Sequence, residues 1–206
     1  MRTGILGGTF DPIHLAHLHA GETALHQAGL DRVLFVPAGD PWQKDDRDLS
    51  PAIHRVEMLR LAITGVVGFE VDEREVQRTG PTYTIDTLAS FPDTEDLFLI
   101  LGADAAARMP TWHRSEEVLA RSQVLVAPRP GTSLEEVRPA VPGALILDMA
   151  ALDVSATAIR ALARNEAPYR FLVPPRVYEY IQSNRLYAET PEGDRVVAST
   201  DQEDPP

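Results

Sequence analysis

The sequence predicts an α/β fold in which a doubly wound, mostly parallel sheet carries flanking helices. Three observations lead there. Short apolar runs alternate with amphipathic stretches, the pattern of strands that are each followed by a helix. About six such runs occur, and the first, ending Ile5-Leu6-Gly7-Gly8, opens directly into a glycine-bearing turn ahead of a helix. A chain of 206 residues also suits one ordinary domain better than two complete ones.

Residues 3–7 read as a buried first strand, and 15–28 as a helix with Leu15, Leu18, Leu25 and Ala28 on one face. Residues 32–36 are the next strand. The polar loop over 37–49 contains Trp42 and Lys44 and is longer than an ordinary connection, which makes it a candidate substrate loop. Ser50 as N-cap and Pro51 at the first helical position start a helix to about residue 64. Residues 67–71 are a third strand, and the acidic 70–75 segment is expected to be a solvated edge. Thr84 is expected to cap a short helix through 91, followed by the most convincing strand, 97–101, and by Gly102-Ala103-Asp104. Strands at 123–127 and 144–147 complete the sheet, and helices capped by Ser155 and spanning about 175–184 close the fold. The last segment, 188–206, carries six acids against one arginine and has no periodicity; it is expected to be a disordered tail on a single domain of residues 1–187.

Composition narrows the function. Hydrophobic residues at 44% with charged residues at 24% exclude wholesale disorder and collagen-like repeats. No apolar run reaches the roughly 18 residues that a membrane span needs, so no membrane partner is expected. Asp11 and His14 arrive before any signal-peptide hydrophobic region develops, and a cytoplasmic location is the expectation. Zero cysteines exclude disulfides, thiolate metal sites and a cysteine nucleophile. A net charge of −12, of which the tail holds −5, argues against a nucleic-acid partner. The bases comprise 18 arginines and one lysine, Lys44, which reflects either genome composition or a place where a flexible ammonium is wanted.

The strongest motif is Gly7-Gly8-Thr9-Phe10-Asp11-Pro12-Ile13-His14-Leu15-Ala16-His17, where the first strand turns into the first helix. Glycines let backbone approach a phosphate, and a helix start offers unpaired N–H groups with a positive dipole end. His14 and His17, three apart, share a helix face and make a donor pair for a polyphosphate. The same residues could instead be a tight turn with packed histidines, or a metal site in which only Asp11 offers itself as a third ligand. Neither a Gly-x-Gly-x-x-Gly fingerprint nor a Gly-Lys-Ser/Thr P-loop is present, which disfavours an ordinary dehydrogenase and a P-loop enzyme. Late in the chain, Val154-Ser155-Ala156-Thr157-Ala158-Ile159-Arg160 puts two hydroxyls at a helix N-terminus with Arg160 one turn on. Alone, a serine cap followed by a surface arginine explains it equally well.

The first motif resembles the signature of the nucleotidyltransferase superfamily, which shares its histidine motif with class I aminoacyl-tRNA synthetases. In full it resembles that of the bacterial nicotinate-mononucleotide adenylyltransferases, with Ala16 where that family usually has glycine. Residues 154–160 are similar to the family's second phosphate-binding element, and 78–88, containing Gly80-Pro81-Thr82-Tyr83-Thr84, to its nicotinate-site loop. Leu101-Gly102-Ala103-Asp104 and Met109-Pro110-Thr111-Trp112-His113-Arg114 match further segments, and 36–44 matches its long loop. Gln43 departs from the histidine common there and is left unassigned. Residues 173–187 resemble the closing helix, a mainly structural element.

The resemblance implies a Rossmann-like fold and an enzyme that moves AMP from ATP to nicotinate mononucleotide, forming nicotinate adenine dinucleotide and pyrophosphate in NAD biosynthesis. It assigns His14, His17 and Arg160 to catalysis. Gly7, Gly8, Thr9, Phe10, Lys44, Gly102, Asp104, Ser155 and Thr157 would hold ATP, with Asp104 at the ribose hydroxyls. Thr82, Tyr83 and Thr84 would bind the nicotinate nucleotide, with the Trp112 indole stacked on its pyridine ring. Mg²⁺ would arrive with ATP and take no ligand cage from the protein. Homo-oligomer formation is left open. The alternatives are another small-molecule adenylyltransferase of the superfamily, of the phosphopantetheine type, and a non-catalytic nucleotide sensor.

Overall fold

Runs rich in valine, leucine, isoleucine and phenylalanine pair along their length because both of their faces can be buried. They form β1 (Arg2–Gly8), β2 (Arg32–Pro37), β3 (Phe69–Val71), β4 (Asp96–Gly102), β5 (Gln123–Ala127) and β6 (Leu145–Ile146), in the spatial order β3-β2-β1-β4-β5-β6. The computed structural model describes residues 1–39 and 49–188, and all five strand pairings among them are parallel. The connections change direction at β1 and β4, which are neighbours in the sheet, so a crevice opens beyond their C-terminal ends.

Alternation along the strands feeds two cores. Ile5, Leu34, Leu99 and Val124 meet α3 (Thr84–Ala89), α4 (Ala103–Ala107), α5 (Ser115–Arg121) and α6 (Leu134–Ala140) through Leu88, Ala106, Val118 and Val137. Leu6, Phe35, Ile100 and Leu125 face the other way, toward α1 (Leu15–Gln27), α2 (Ala52–Ile63), α7 (Ala156–Arg164) and α8 (Pro175–Ser183), through Ala24, Met58, Ile159 and Val177. No helix among the described residues is long and apolar enough to cross a membrane.

Several local expectations change. The core face of α1 is made of small residues, Ala20, Gly21 and Ala24, which let the helix lie close to the sheet; Leu15 is exposed, and Leu18, Leu25 and Ala28 only flank the core. Helix α2 begins one residue later than expected, with Pro51 and not Ser50 at the N-cap, because Ser50 is engaged by Asp11 through its N–H (3.1 Å). Tyr83 is the N-cap of α3, and Thr84 is its first helical residue. Strand β3 is shorter than 67–71, since Gly68 at φ +83° turns the chain just before pairing begins. The acidic 70–75 segment does begin on the sheet's edge strand, with Glu70 exposed, but its acids are paired and not merely solvated: Glu70 with Arg32, Asp72 with Arg74 and Glu73 with Arg60, while Glu75 turns inward. Trp42, Gln43, Lys44 and residues 189–206 of the acidic tail lie outside the described residues.

Candidate active site

Each helix that follows a parallel strand starts at the strand's C-terminal end, so several helix N-termini converge on the crevice. There a cleft of about 570 Å³ is lined by the turn after β1, the starts of α1, α3, α4 and α7, and residues 127–129 after β5. Its size suits a small-molecule ligand. A Cβ added to Gly7 would stand in open space, so the bare backbone there is reachable by a ligand.

The two histidines sit at the N-terminus of α1. Their rings stack at 3.7 Å between centroids and 22° between planes. The His14 backbone N–H donates to His17 Nδ1 at 3.3 Å, and in the tautomer that accepts this bond the proton is on Nε2. His14 is buried, its Nδ1 has no partner among the described residues, and burial, helped by Arg129, lowers its pKa to about 4. Phe10 supports the pair from below. It is 1% exposed, holds a left-handed φ of 49°, and sets its ring edge-on to His17 at 5.0 Å.

The start of α7 faces the same cleft. Ser155 Oγ accepts the Ala158 N–H at 3.2 Å as N-cap, which leaves its own proton free to donate to a ligand oxygen. Thr157, two residues on, also lines the cleft, and the first N–H groups of this nine-residue helix have no helical partner. Arg160 is oriented differently: its Nη1 donates to the Asp11 carbonyl at 2.8 Å, tying α7 to the histidine turn. Its Nε is buried without a partner among the described residues.

At the start of α4, Asp104 pairs with Arg129 at 2.8 Å. The cleft wall also carries aromatic rings. Trp112 is half-buried, Tyr83 packs against His113 with centroids 4.3 Å apart, and Thr82 and Thr84 flank Tyr83 on the cleft wall. Glu75 lies beneath them and accepts the Thr87 hydroxyl at 2.6 Å. Burial raises its pKa, against opposing hydrogen bonds from Thr87 and Thr82 and the charge of Arg78. Gly39 passes so close that a Cβ there would collide with the Glu75 carbonyl oxygen, which leaves room only for glycine.

Gly7, Gly8, Thr9, His14, His17, Thr82, Tyr83, Thr84, Gly102, Asp104, Trp112, Ser155 and Thr157 are thus brought together around one cleft. Phe10 and Arg160 are not among its lining residues, and Lys44 lies outside the described ones. Arg129, Glu75 and His113 join the wall without having been expected. Arg129 has a signal in Pro128-Arg129-Pro130, directly beyond a strand's C-terminal end. Asp11 is not set for a metal: its carboxylate accepts Tyr187 O–H at 2.6 Å and Ser50 N–H at 3.1 Å. No group of three or more metal-ligating side chains occurs among the described residues.

Comparison with known proteins follows the same lines. Residues 5–162 match the model of a family described as cytidylyltransferase-like. The nicotinate-nucleotide adenylyltransferase of Bacillus subtilis is 38% identical over 190 residues, covering 90% of this chain and 98% of its own. A protein of Corynebacterium kroppenstedtii named "Probable nicotinate-nucleotide adenylyltransferase" is 44% identical over 192 residues, covering 90% of both. In fold, the chain is similar to Plasmodium falciparum nicotinic acid mononucleotide adenylyltransferase complexed with NaAD, with a TM-score of 0.77 at 19% identity over 90% of this chain and 97% of that one. The same enzyme complexed with APC has a TM-score of 0.77 at 18% identity, over 90% and 96%.

Proposed function

This chain belongs to the nicotinate-nucleotide adenylyltransferases of the cytidylyltransferase-like family, and from that premise we propose that the cleft beyond β1 and β4 is where its own residues carry out the transfer. The reaction moves AMP from ATP to nicotinate mononucleotide and releases pyrophosphate. The observation that carries the assignment of residues is that one cleft is lined by two unlike groups: stacked histidines with the α7 cap, and aromatic rings with threonines.

The 5′-phosphate of the nicotinate nucleotide attacks the α-phosphorus of ATP in line. A bond forms from that phosphate oxygen to the α-phosphorus as the bond to the pyrophosphate oxygen breaks. The nucleophile is already an anion, so no side chain needs to form a covalent intermediate or act as a strong base. Catalysis is then positioning and charge stabilisation. His14 and His17, with the N–H groups at the starts of α1 and α7 and the hydroxyls of Ser155 and Thr157, hold the ATP phosphates as charge gathers on the leaving group. Gly7, Gly8 and Thr9 let the nucleotide approach the backbone, and Gly102 and Asp104 take the ribose. Lys44 is assigned to the same phosphates from its sequence position. Arg160 acts by holding the histidine turn. Thr82, Tyr83 and Thr84 bind the nicotinate carboxylate, and Trp112 stacks on the ring.

Two imidazoles are a poor donor set for Mg²⁺, which prefers oxygen ligands and keeps its water. The residues here therefore fit a Mg²⁺ held chiefly by the phosphates of ATP, where it supplies neutralising charge.

Pyrophosphate release, measured with ATP and either nicotinate or nicotinamide mononucleotide, tests the reading. Preference for nicotinate is expected, and equal efficiency with both overturns the assignment of residues 82–84. His17→Ala is expected to lower kcat about 10²-fold with little change in the KM for nicotinate mononucleotide. Trp112→Ala should do the reverse, and normal turnover in the His17 variant removes the histidine from the chemistry.

A further inference from the structure

Arg55 is a charged side chain at 1% exposure, in the middle of an otherwise apolar face of α2. Its guanidinium donates to three backbone carbonyls: Ser50 through Nε at 3.0 Å, and Thr9 at 3.0 Å and Ala38 at 2.8 Å through Nη1. Those carbonyls belong to three separate segments, namely the turn after β1, the residue beyond β2 and the approach to α2. Burial pulls the pKa of this group down, and the nearby Asp11 carboxylate pushes it back up. An apolar side chain of similar volume would fill the space without the desolvation cost of a charge. What it could not do is hold three carbonyls in one plane.

Asp11, fully buried, is the second fastening of the same turn. Its Oδ1 accepts the Tyr187 hydroxyl, its Oδ2 the Ser50 N–H, and its carbonyl the Arg160 guanidinium. Ser50 joins the two fastenings, giving its N–H to Asp11 and its carbonyl to Arg55.

Between Thr9 and Asp11 stands Phe10, in a left-handed conformation that an aromatic residue adopts only when its surroundings impose it. The peptide plane joining Thr9 to Phe10 is fixed at its carbonyl by Arg55, which also fixes the Phe10 N–H on the plane's other side. The Phe10 ring in turn braces His17.

We propose that Arg55 and Asp11 are positioning residues for the transfer reaction: they hold residues 7–11 in the one conformation that presents the glycine backbone and His17 to the ATP phosphates. This rests on the reading that the turn takes those phosphates, and neither residue touches substrate.

The experiment starts from the wild-type chain, whose release of pyrophosphate from ATP and nicotinate mononucleotide tests the activity independently. Arg55→Lys keeps the charge but replaces the planar fork by a single ammonium. It is expected to lower kcat about 10²-fold, the loss that a displacement of order 1 Å at a reacting group brings. The KM for nicotinate mononucleotide is expected to change less than kcat, since the three carbonyl bonds of Arg55 go to residues 9, 38 and 50 and none to residues 82–84 or 112. Tyr187→Phe removes one oxygen from the Asp11 fastening and is expected to lower kcat severalfold with the same split. The two changes combined should be less than multiplicative, because both act through Ser50. The proposal is overturned if Arg55→Lys turns over normally, or if its activity falls only in step with its folded fraction. Should Arg55→Lys fail to fold, Tyr187→Phe decides alone, and an unchanged kcat there overturns the proposal.

Discussion

His14 is where burial and chemistry meet most closely. With its pKa at about 4 in the folded chain, against an ordinary 6.5, the imidazole is neutral at pH 7 before any nucleotide arrives. In the proposed site it is therefore a neutral hydrogen-bond donor, and not a standing cation, until an anionic phosphate arrives. The same shift has a thermodynamic consequence. Between pH 6.5 and 4 the unfolded chain binds a proton at this position that the folded chain does not, so stability falls as pH drops through that window and is flat above it. The shift corresponds to roughly 3 kcal/mol at its lower end. His14→Gln is therefore expected to flatten the acid limb of the stability profile between those pH values, measured by urea unfolding in a pH series. An unchanged slope would mean that His14 is not withdrawn from water as the structure has it.

At the scale of elements, helix α7 does two things with one residue. Ser155 caps it, so Ser155→Ala should cost about 1 kcal/mol in thermal or denaturant unfolding. In the proposed site its hydroxyl is also a donor to a phosphate oxygen. The variant should accordingly lose more in kcat than its lower stability explains at a temperature where it is fully folded. This helix was legible from its cap, and the long strands were legible because burial on both faces leaves nearly continuous apolar runs such as Val33-Leu34-Phe35-Val36. Helices α4, α5 and α6 were not: they run five to seven residues, too short for a periodic stripe, and α6 contains Pro139. The histidine turn, the Ser155 element and residues 82–84 and 112 were legible through their resemblance to a known family's motifs, which keep residue types at fixed spacings. Arg55 and Glu75 were hidden for the opposite reason. Their partners are backbone carbonyls or distant threonines brought near only by tertiary packing, and one charge within a helix or an acidic run looks like a solvated face.

For the whole molecule, a chain of net charge −12 handles two anionic substrates. The parallel sheet resolves this by pointing the positive ends of α1 and α7 into one cleft, while acids such as Glu70 and Glu73 are neutralised by arginines on the sheet's flank. Local field, and not net charge, governs what is bound. Six of the acids lie in residues 188–206, which contain no residue of the proposed site. Truncation after residue 187 is expected to leave kcat and both KM values unchanged. A change in the KM for ATP on truncation would give the acidic segment a part in substrate binding.

Strand β1 also separates Met1 from Tyr187. Met1 pairs with Asp96 at the sheet's lower rim, whereas Gly8 opens into the cleft at the upper one, about 20 Å away at a strand's rise per residue. Tyr187, next to the last described residue, sits on Asp11 at the upper rim. For immobilisation on a surface or fusion to a second enzyme, attachment at Met1 and attachment just after Tyr187 are therefore not equivalent. A tether at Met1 leaves the mouth of the cleft facing away from the support, and a bulky partner joined just after Tyr187 presses on the turn that carries the histidines.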